Sequence, residues 1–102
     1  MYLVKTTESA RNDLHQIASY IVADSGSNEI ALAYILKLEV GIFSLREYPE
    51  RGAIPRYKLL RLQGYRFLVI ENHLVFYKAN DQRKEVIVYR VLHQKRAYQN
   101  FL

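Results

Sequence analysis

The chain has 102 residues, half of them hydrophobic and a quarter charged, so it can form one globular domain over residues 1–102 and is not a disordered protein. It contains no cysteine, which excludes a disulfide framework and a thiolate metal site, and its three histidines are too scattered to suggest a histidine metal site. We expect neither a metal nor a cofactor. Fifteen Lys and Arg against ten Asp and Glu give a net charge of +5, which favours RNA, DNA or an acidic protein as a partner.

The amino-terminal residues predict a strand followed by a helix. Residues 2–6 are strand-like, and the threonines that end this run can cap a helix by accepting a backbone N–H bond. From Glu8 to Val22 the apolar residues recur every three or four positions, which is the spacing of one helical face. There is no long apolar stretch or cleavage signal at the start and no segment of membrane-spanning length, so we expect a cytoplasmic protein that does not bind membranes.

The next residues predict that this helix is the first of a helical hairpin. The segment 24–27 interrupts the helix with a glycine and offers Ser27 as the cap of a second helix. That second helix is predicted over 28–47, because Pro49 forces the preceding residue out of the helical region. Residues 50–57 read as a loop, and 58–62 as a short extended piece.

The last third of the chain predicts an antiparallel meander. Strand-like runs cover 65–70, 74–78 and 85–92, joined by a tight turn at Asn72-His73 and a polar turn at 80–84. The apolar runs are continuous, which indicates that both faces of the sheet are partly covered, one of them by the helical hairpin. The predicted fold is therefore α+β, with the order β-α-α-β-β-β.

A basic segment follows the last predicted strand. Cleavage of RNA at a 2′-hydroxyl needs a base, a cation for the developing phosphoryl charge and an acid. The side chains that could supply these roles are those of His93, Lys95, Arg96 and Tyr98. A basic strand end is also common on an ordinary solvated or partner-facing surface, so composition leaves both possibilities open.

Other charged residues and histidines are weaker candidates. Arg61 and Arg66, on neighbouring extended segments, extend the basic end into a patch or are ordinary surface charge. His15 on a helix and His73 in a turn are predicted to be surface residues. The sequence has no phosphate loop, paired-carboxylate signature or nucleophile elbow, so enzymes built on those motifs are excluded.

Two stretches resemble the ending of a known toxin superfamily. Leu74-Val75-Phe76-Tyr77, followed by R-V-L-H-Q-K-R at 90–96, is similar to the LVFY and R-V-L-H-x-x-R motifs of the RelE/ParE superfamily of type II toxin–antitoxin toxins. The helical hairpin and nearly the whole chain length also match. One departure is Ala97, where many relatives carry an acidic residue.

The resemblance implies one of two activities. ParE-like toxins poison DNA gyrase by stabilising its cleaved DNA complex, whereas RelE-like and YoeB-like toxins cut mRNA in the ribosomal decoding site. The long helical hairpin and the R-V-L-H-x-x-R ending favour the ParE-like activity, with target-binding residues Arg61, Arg66, Arg90 and Arg96. In the ribonuclease alternative, the basic set and the late tyrosine make His93, Lys95, Arg96 and Tyr98 catalytic. A second alternative is a non-toxic binding module that acts only in a complex with an antitoxin.

Both branches imply a cognate antitoxin and a hetero-oligomer. The antitoxin's C-terminal segment would wrap the toxin, and a +5 toxin suits an acidic, disordered segment that orders on binding. The groove between the first helix and the sheet is the natural place for it. The predicted antitoxin contacts are Leu14, Tyr20 and Ile21, although Leu14 and Ile21 also fit burial in the toxin's own core.

Overall fold

The computed structural model describes the backbone of residues 1–102 and all of their side chains except that of Gln99. The helices are α1 (Glu8–Ser25), α2 (Asn28–Phe43) and α3 (Lys58–Leu62), and the strands are β1 (Leu3–Thr6), β2 (Arg66–Ile70), β3 (His73–Asn80) and β4 (Glu85–His93). Two 3-10 turns, Ser44–Arg46 and Tyr98–Asn100, complete the elements assigned over this range. The predicted α+β class is confirmed. Within the same residues, no helix combines the length and apolar character needed to cross a membrane.

The helical hairpin forms where local capping signals predict it. The Thr7 hydroxyl accepts the Ala10 N–H at 3.0 Å and begins α1. Gly26 ends α1 in the left-handed region, with φ 70°, a conformation that costs glycine little. Ser27 then caps α2 by accepting the Ile30 N–H at 3.2 Å.

The strands lie in the order β1-β4-β3-β2. The predicted meander is confirmed, since β2 pairs with β3 and β3 with β4, both antiparallel. β1 adds to the far edge of β4 in parallel, with Leu3 opposite Glu85 and Thr6 opposite Val88. The first and last strands of the chain are therefore neighbours in the sheet. The chain passes directly from β1 into α1, which packs on one face of the sheet.

Each face of the sheet carries its own apolar cluster. We call the side covered by α1 and α2 the helical face; its buried residues include Leu38, Leu45, Val75, Tyr77, Val88 and Val91. The opposite side, the outer face, is covered by α3 and the C-terminal segment; its cluster contains Leu60, Tyr65, Leu74, Phe76 and Leu92, with Tyr98 and Leu102 packed against them. Coverage of both faces explains the continuous apolar runs of the strands.

A β-bulge interrupts the pairing of β3 and β4. Tyr77 lies opposite Val88, but Phe76 lies opposite Arg90, which leaves Tyr89 as the extra residue of β4. After the bulge, Val91 faces the helices and Leu92 faces outward. The bulge therefore sets which side chains at the end of β4 meet α1.

Three element predictions were wrong. Residues 58–62 form the helix α3, in which only Leu60 is buried. The prediction of an extended piece failed because a short leucine-rich run fits either a helix or a strand. The turn between β2 and β3 is Glu71-Asn72, with Glu71 at φ 53°, so His73 begins a strand. α2 ends at Phe43, and the Ser44 hydroxyl bonds the Gly41 carbonyl at 2.6 Å where the chain tightens into a 3-10 turn.

Candidate functional site

A groove lies between α1, α2 and the end of the sheet where β4 finishes. Its volume is about 480 Å³. We call it the histidine groove; its walls include Asp13, Ile17, Tyr20, Ile21, Tyr34, Asn72, His73, Arg90, Val91, His93 and Arg96. The basic segment predicted from the sequence begins at this groove.

His73 lies at the centre of a hydrogen-bonded group in this groove. The Tyr34 hydroxyl is 2.6 Å from Nδ1 of His73 and accepts the Asn72 N–H at 3.2 Å, so its proton is free to be donated to a neutral imidazole. Burial lowers the pKa of His73, the neighbouring His93 lowers it further, and Asp13 opposes both effects. The prediction of His73 as a surface turn residue is wrong, because it starts β3 and packs under Tyr34.

His93 lies beside His73 in the adjacent strand. The two rings meet edge to face, with centroids 5.3 Å apart. The Lys95 N–H is 3.2 Å from Nδ1 of His93, an arrangement in which Nδ1 accepts and the ring proton lies on Nε2. One nitrogen of this predicted catalytic residue therefore stabilises the turn after β4.

Arg90 and Asp13 form a two-point ion pair between β4 and α1. Nε and Nη2 of Arg90 are 2.8 and 2.9 Å from the two carboxylate oxygens of Asp13, and the Val91 N–H donates to the same carboxylate at 2.8 Å. This pairing raises the pKa of Arg90. Sequence reasoning assigned Arg90 to the target and missed Asp13, which occupies an inward position among the apolar residues of α1. A carboxylate at such a position was the signal for a buried partner.

The four predicted catalytic residues do not converge. His93 lies on the helical face beside His73, while Lys95 and Arg96 are exposed in the turn that follows. The Tyr98 ring packs on the outer face, 4.8 Å from Phe76 and 5.5 Å from Tyr57 between centroids. The sheet therefore separates His93 from Tyr98.

The predicted target-binding arginines occupy different surroundings. Arg61 is exposed on α3, where its Nη1 donates to the Arg56 carbonyl at 2.6 Å. Arg66 lies on the edge strand β2 and donates to the Gly52 carbonyl at 3.1 Å. The Arg96 guanidinium stacks over Phe101 at 4.3 Å from the ring centroid. Arg61 and Arg96 present free charge, whereas Arg90 is paired with Asp13.

The predicted antitoxin contacts are divided between two concavities. Tyr20, 70% exposed, and Ile21 line the histidine groove. Leu14 packs against the core of the helical face and borders a second cleft beside β1. Only Tyr20 and Ile21 are therefore placed together.

The donor groups in the described part of the chain do not assemble into a metal site. Among those residues, no cluster of three or more His, Asp or Glu side chains could hold a metal ion. The sheet end offers hydrogen bonds, positive charge and an apolar wall.

Comparison with known proteins decides the family. The model for the ParE toxin of the type II toxin–antitoxin system parDE matches residues 4–98. The chain belongs to the ParE toxin family. No curated protein sequence matches this ParE-family chain. The predicted membership of the RelE/ParE superfamily is confirmed.

Solved structures share the fold of this ParE-family toxin. The chromosomal ParDE toxin–antitoxin system from P. aeruginosa aligns with a TM-score of 0.75 and 23% identity, covering 91% of this chain and 96% of that one. The RelBE2 toxin–antitoxin complex from Mycobacterium tuberculosis aligns with a TM-score of 0.62 and 26% identity, covering 90% of this chain and 96% of that one. The intact E. coli RelBE toxin–antitoxin complex aligns with a TM-score of 0.61 and 14% identity, covering 94% of this chain and 100% of that one.

Proposed function

We propose that this toxin is a ParE-like poison of DNA gyrase, which stabilises the enzyme's cleaved DNA complex. The match of the ParE family model to residues 4–98 supports this proposal. The observation that carries it is the separation of His93 from Tyr98 by the sheet. A surface that binds a target without transferring protons does not need these side chains to meet.

A ribosome-dependent endonuclease needs a different arrangement. Its general base and acid must both come within hydrogen-bond reach of the reacting atoms, about 2.6–3.2 Å. Here His93 uses Nδ1 in its own turn and Tyr98 packs against Phe76 on the other face. Arg90, which could stabilise a phosphoryl charge, is held by Asp13. This geometry favours target binding over RNA cleavage.

A cognate antitoxin is the second part of the proposal. The solved structures with the same fold come from toxin–antitoxin systems. We propose that an acidic, disordered segment of the antitoxin orders in the histidine groove. Ile17, Tyr20 and Ile21 supply an apolar wall, and Arg96 supplies positive charge at the rim.

One pair of assays separates the two activities. Purified toxin is incubated with gyrase, ATP and supercoiled plasmid, and DNA is released with detergent and protease. We expect linear DNA to accumulate, and in cells we expect filaments and a DNA-damage response. In a purified translation system the mRNA should remain intact; cuts at the ribosomal A site with no linear DNA would contradict the proposal.

Variants of the candidate catalytic residues sharpen this test. His93→Ala and Tyr98→Phe should keep gyrase poisoning, because neither group transfers a proton in the proposed activity. Loss of mRNA cutting in both variants, with antitoxin binding retained, would instead assign them catalytic roles. If wild-type toxin has no effect in either assay or on growth, the chain is a binding module only.

A further inference from the structure

Positive charge is concentrated on one side of the molecule. Residues 51–70 and 86–102 contain no Asp or Glu; their basic residues are Arg51, Arg56, Lys58, Arg61, Arg66, Arg90, Lys95 and Arg96. The segment 8–43, which forms the helical hairpin, carries five Asp and Glu against two Lys and Arg. The net charge of +5 is therefore the sum of an acidic helical side and a strongly basic remainder.

The two acid-free segments meet on the outer face of the sheet. Tyr57, immediately before α3, packs edge to face against Tyr98 of the C-terminal segment, with centroids 5.5 Å apart. Leu60 of α3 and Leu92 of β4 belong to the same buried cluster beneath them. The cations beside these contacts are Arg56, Lys58 and Arg61 around α3, and Lys95 and Arg96 in the turn after β4, where Arg96 also borders the histidine groove. We call these five cations the basic outer face.

These five cations are available to an external anion. All five side chains are exposed, and none forms an ion pair with a carboxylate among the described side chains. Glu85, the one acidic residue of β4, lies far from the turn that carries Lys95 and Arg96, because Glu85 starts this strand and His93 ends it, about 26 Å apart at the usual rise per residue. The buried carboxylate of Asp13 is already neutralised by Arg90.

Part of this surface is held in place before any partner arrives. Arg61 is fixed by its bond to the Arg56 carbonyl, and Arg96 is fixed by stacking on Phe101. Fixed guanidinium groups lose less conformational freedom on binding a phosphate than free side chains do. Of the three rings that pack together here, Phe76 is fully buried, Tyr98 is half-buried and only Tyr57 is exposed, so they do not offer successive open rings for stacking single-stranded bases.

We propose that the basic outer face binds the phosphate backbone of duplex DNA. The inference rests on the proposed gyrase activity and deepens it: the toxin would hold the DNA of the gyrase complex as well as the enzyme. Backbone contacts by arginine and lysine position a protein on DNA without reading its sequence. Five phosphate contacts predict that log K falls with log salt with a slope of about −4.5.

Fluorescence anisotropy of the whole toxin with a labelled 30-bp duplex of arbitrary sequence, titrated at several KCl concentrations, measures this slope. The Arg56→Gln/Arg61→Gln/Arg96→Gln variant should lose about three units of slope and bind at least tenfold more weakly at low salt. The matched control Lys37→Gln/Arg83→Gln/Lys84→Gln removes the same charge from α2 and the β3–β4 turn and should keep the wild-type slope. Changing the same three arginines to lysine should preserve most of the binding because the positive charges remain, and a circular dichroism melt of the glutamine variant that matches wild type excludes misfolding.

Several results would overturn the proposal. Equal loss of slope in both glutamine triples would show that the overall charge of the toxin, and not the basic outer face, governs DNA binding. The proposal would also be overturned if wild-type toxin did not bind the duplex, or if it bound single-stranded RNA of the same length more tightly.

The gyrase cleavage assay separates this inference from the proposed function. If wild-type toxin produces linear DNA and the Arg56/Arg61/Arg96 glutamine variant does so equally well, gyrase poisoning stands and the DNA contact fails. If wild-type toxin binds duplex DNA with the expected slope but produces no linear DNA with gyrase, the DNA contact stands and the proposed function fails.

Discussion

Asp13 and Arg90 tie α1 to β4 through two hydrogen bonds of 2.8 and 2.9 Å, and Asp13 also accepts the Val91 N–H. The Asp13 side chain is 9% exposed and that of Arg90 is 21% exposed, so water can replace few of the hydrogen bonds that a mutation of Asp13 removes. Asp13→Ala would leave a cation and a backbone N–H without their acceptor. We expect it to lower the free energy of unfolding by about 2–4 kcal/mol.

Urea unfolding followed by circular dichroism measures this effect. Asp13→Asn should cost less than Asp13→Ala, because an amide oxygen can still accept one bond. The control is Lys37→Ala, which removes the exposed pair of Lys37 with Glu71 and should leave stability close to wild type. Equal effects of Asp13→Ala and Lys37→Ala would contradict a structural role for the buried pair.

Gly52 and Tyr77 fix the loop before α3 to the sheet. The phenol oxygen of the fully buried Tyr77 accepts the Gly52 N–H at 2.9 Å, and a Cβ on Gly52 would lie 2.6 Å from that oxygen and 2.8 Å from the Phe67 carbonyl. Tyr77→Phe should destabilise the fold by about 1–3 kcal/mol, since it leaves a buried N–H unpaired. Gly52→Ala should cost more, because backbone as well as the ring must move.

Thermal unfolding of both variants checks this order, and Gly64→Ala is an informative comparison. A Cβ at Gly64 meets nothing within 4 Å, but its φ is +87°, so that variant reports backbone strain without a clash. If Gly52→Ala lowered stability no more than Tyr77→Phe, the close approach of the loop to the Tyr77 ring would not be what requires glycine at position 52.

Local signals made half of this fold predictable. Thr7, Gly26 and Ser27 carry the capping chemistry of the helical hairpin within a few residues of where it is needed, and the β2–β4 meander follows from its short turns. The parallel pairing of β1 with β4 joins residues about 80 positions apart, for example Leu3 and Glu85. Nothing in a short window specifies such a contact.

The site was less predictable because two non-local features shape it. The bulge at Tyr89 changes which residues of β4 face the helices, and an alternating pattern does not reveal it. The C-terminal segment crosses the strand end, so Tyr98 packs on the opposite side from His93 although five positions separate them in sequence. A basic motif that is continuous in sequence is therefore divided in space.

His73 makes stability depend on pH with a defined sign. Its pKa in the folded state lies below the ordinary value of 6.5, chiefly because of burial. In the window between these two values the unfolded chain binds more protons, so acid favours unfolding. We expect the stability advantage of wild type over His73→Gln to shrink as pH falls from 7.5 to 5.

Urea unfolding at both pH values tests this expectation. The exposed His15 on α1 supplies the control, since His15→Gln should follow wild type at each pH. A wild-type advantage over His73→Gln that grows on acidification would reverse the sign and mean that the folded state favours the protonated ring.

Tyr20 is the residue that best tests the antitoxin site without disturbing the fold. It is 70% exposed on α1 and lines the histidine groove, so Tyr20→Asp removes apolar surface and adds a negative charge that repels an acidic segment. We expect at least tenfold weaker binding of the co-purified antitoxin by calorimetry, with the melting temperature of the free toxin unchanged. Tyr48→Asp is the matched control, because Tyr48 is 63% exposed and lines no part of this groove among the described residues. Equal weakening by both variants would show that net charge, and not the histidine groove, governs antitoxin binding.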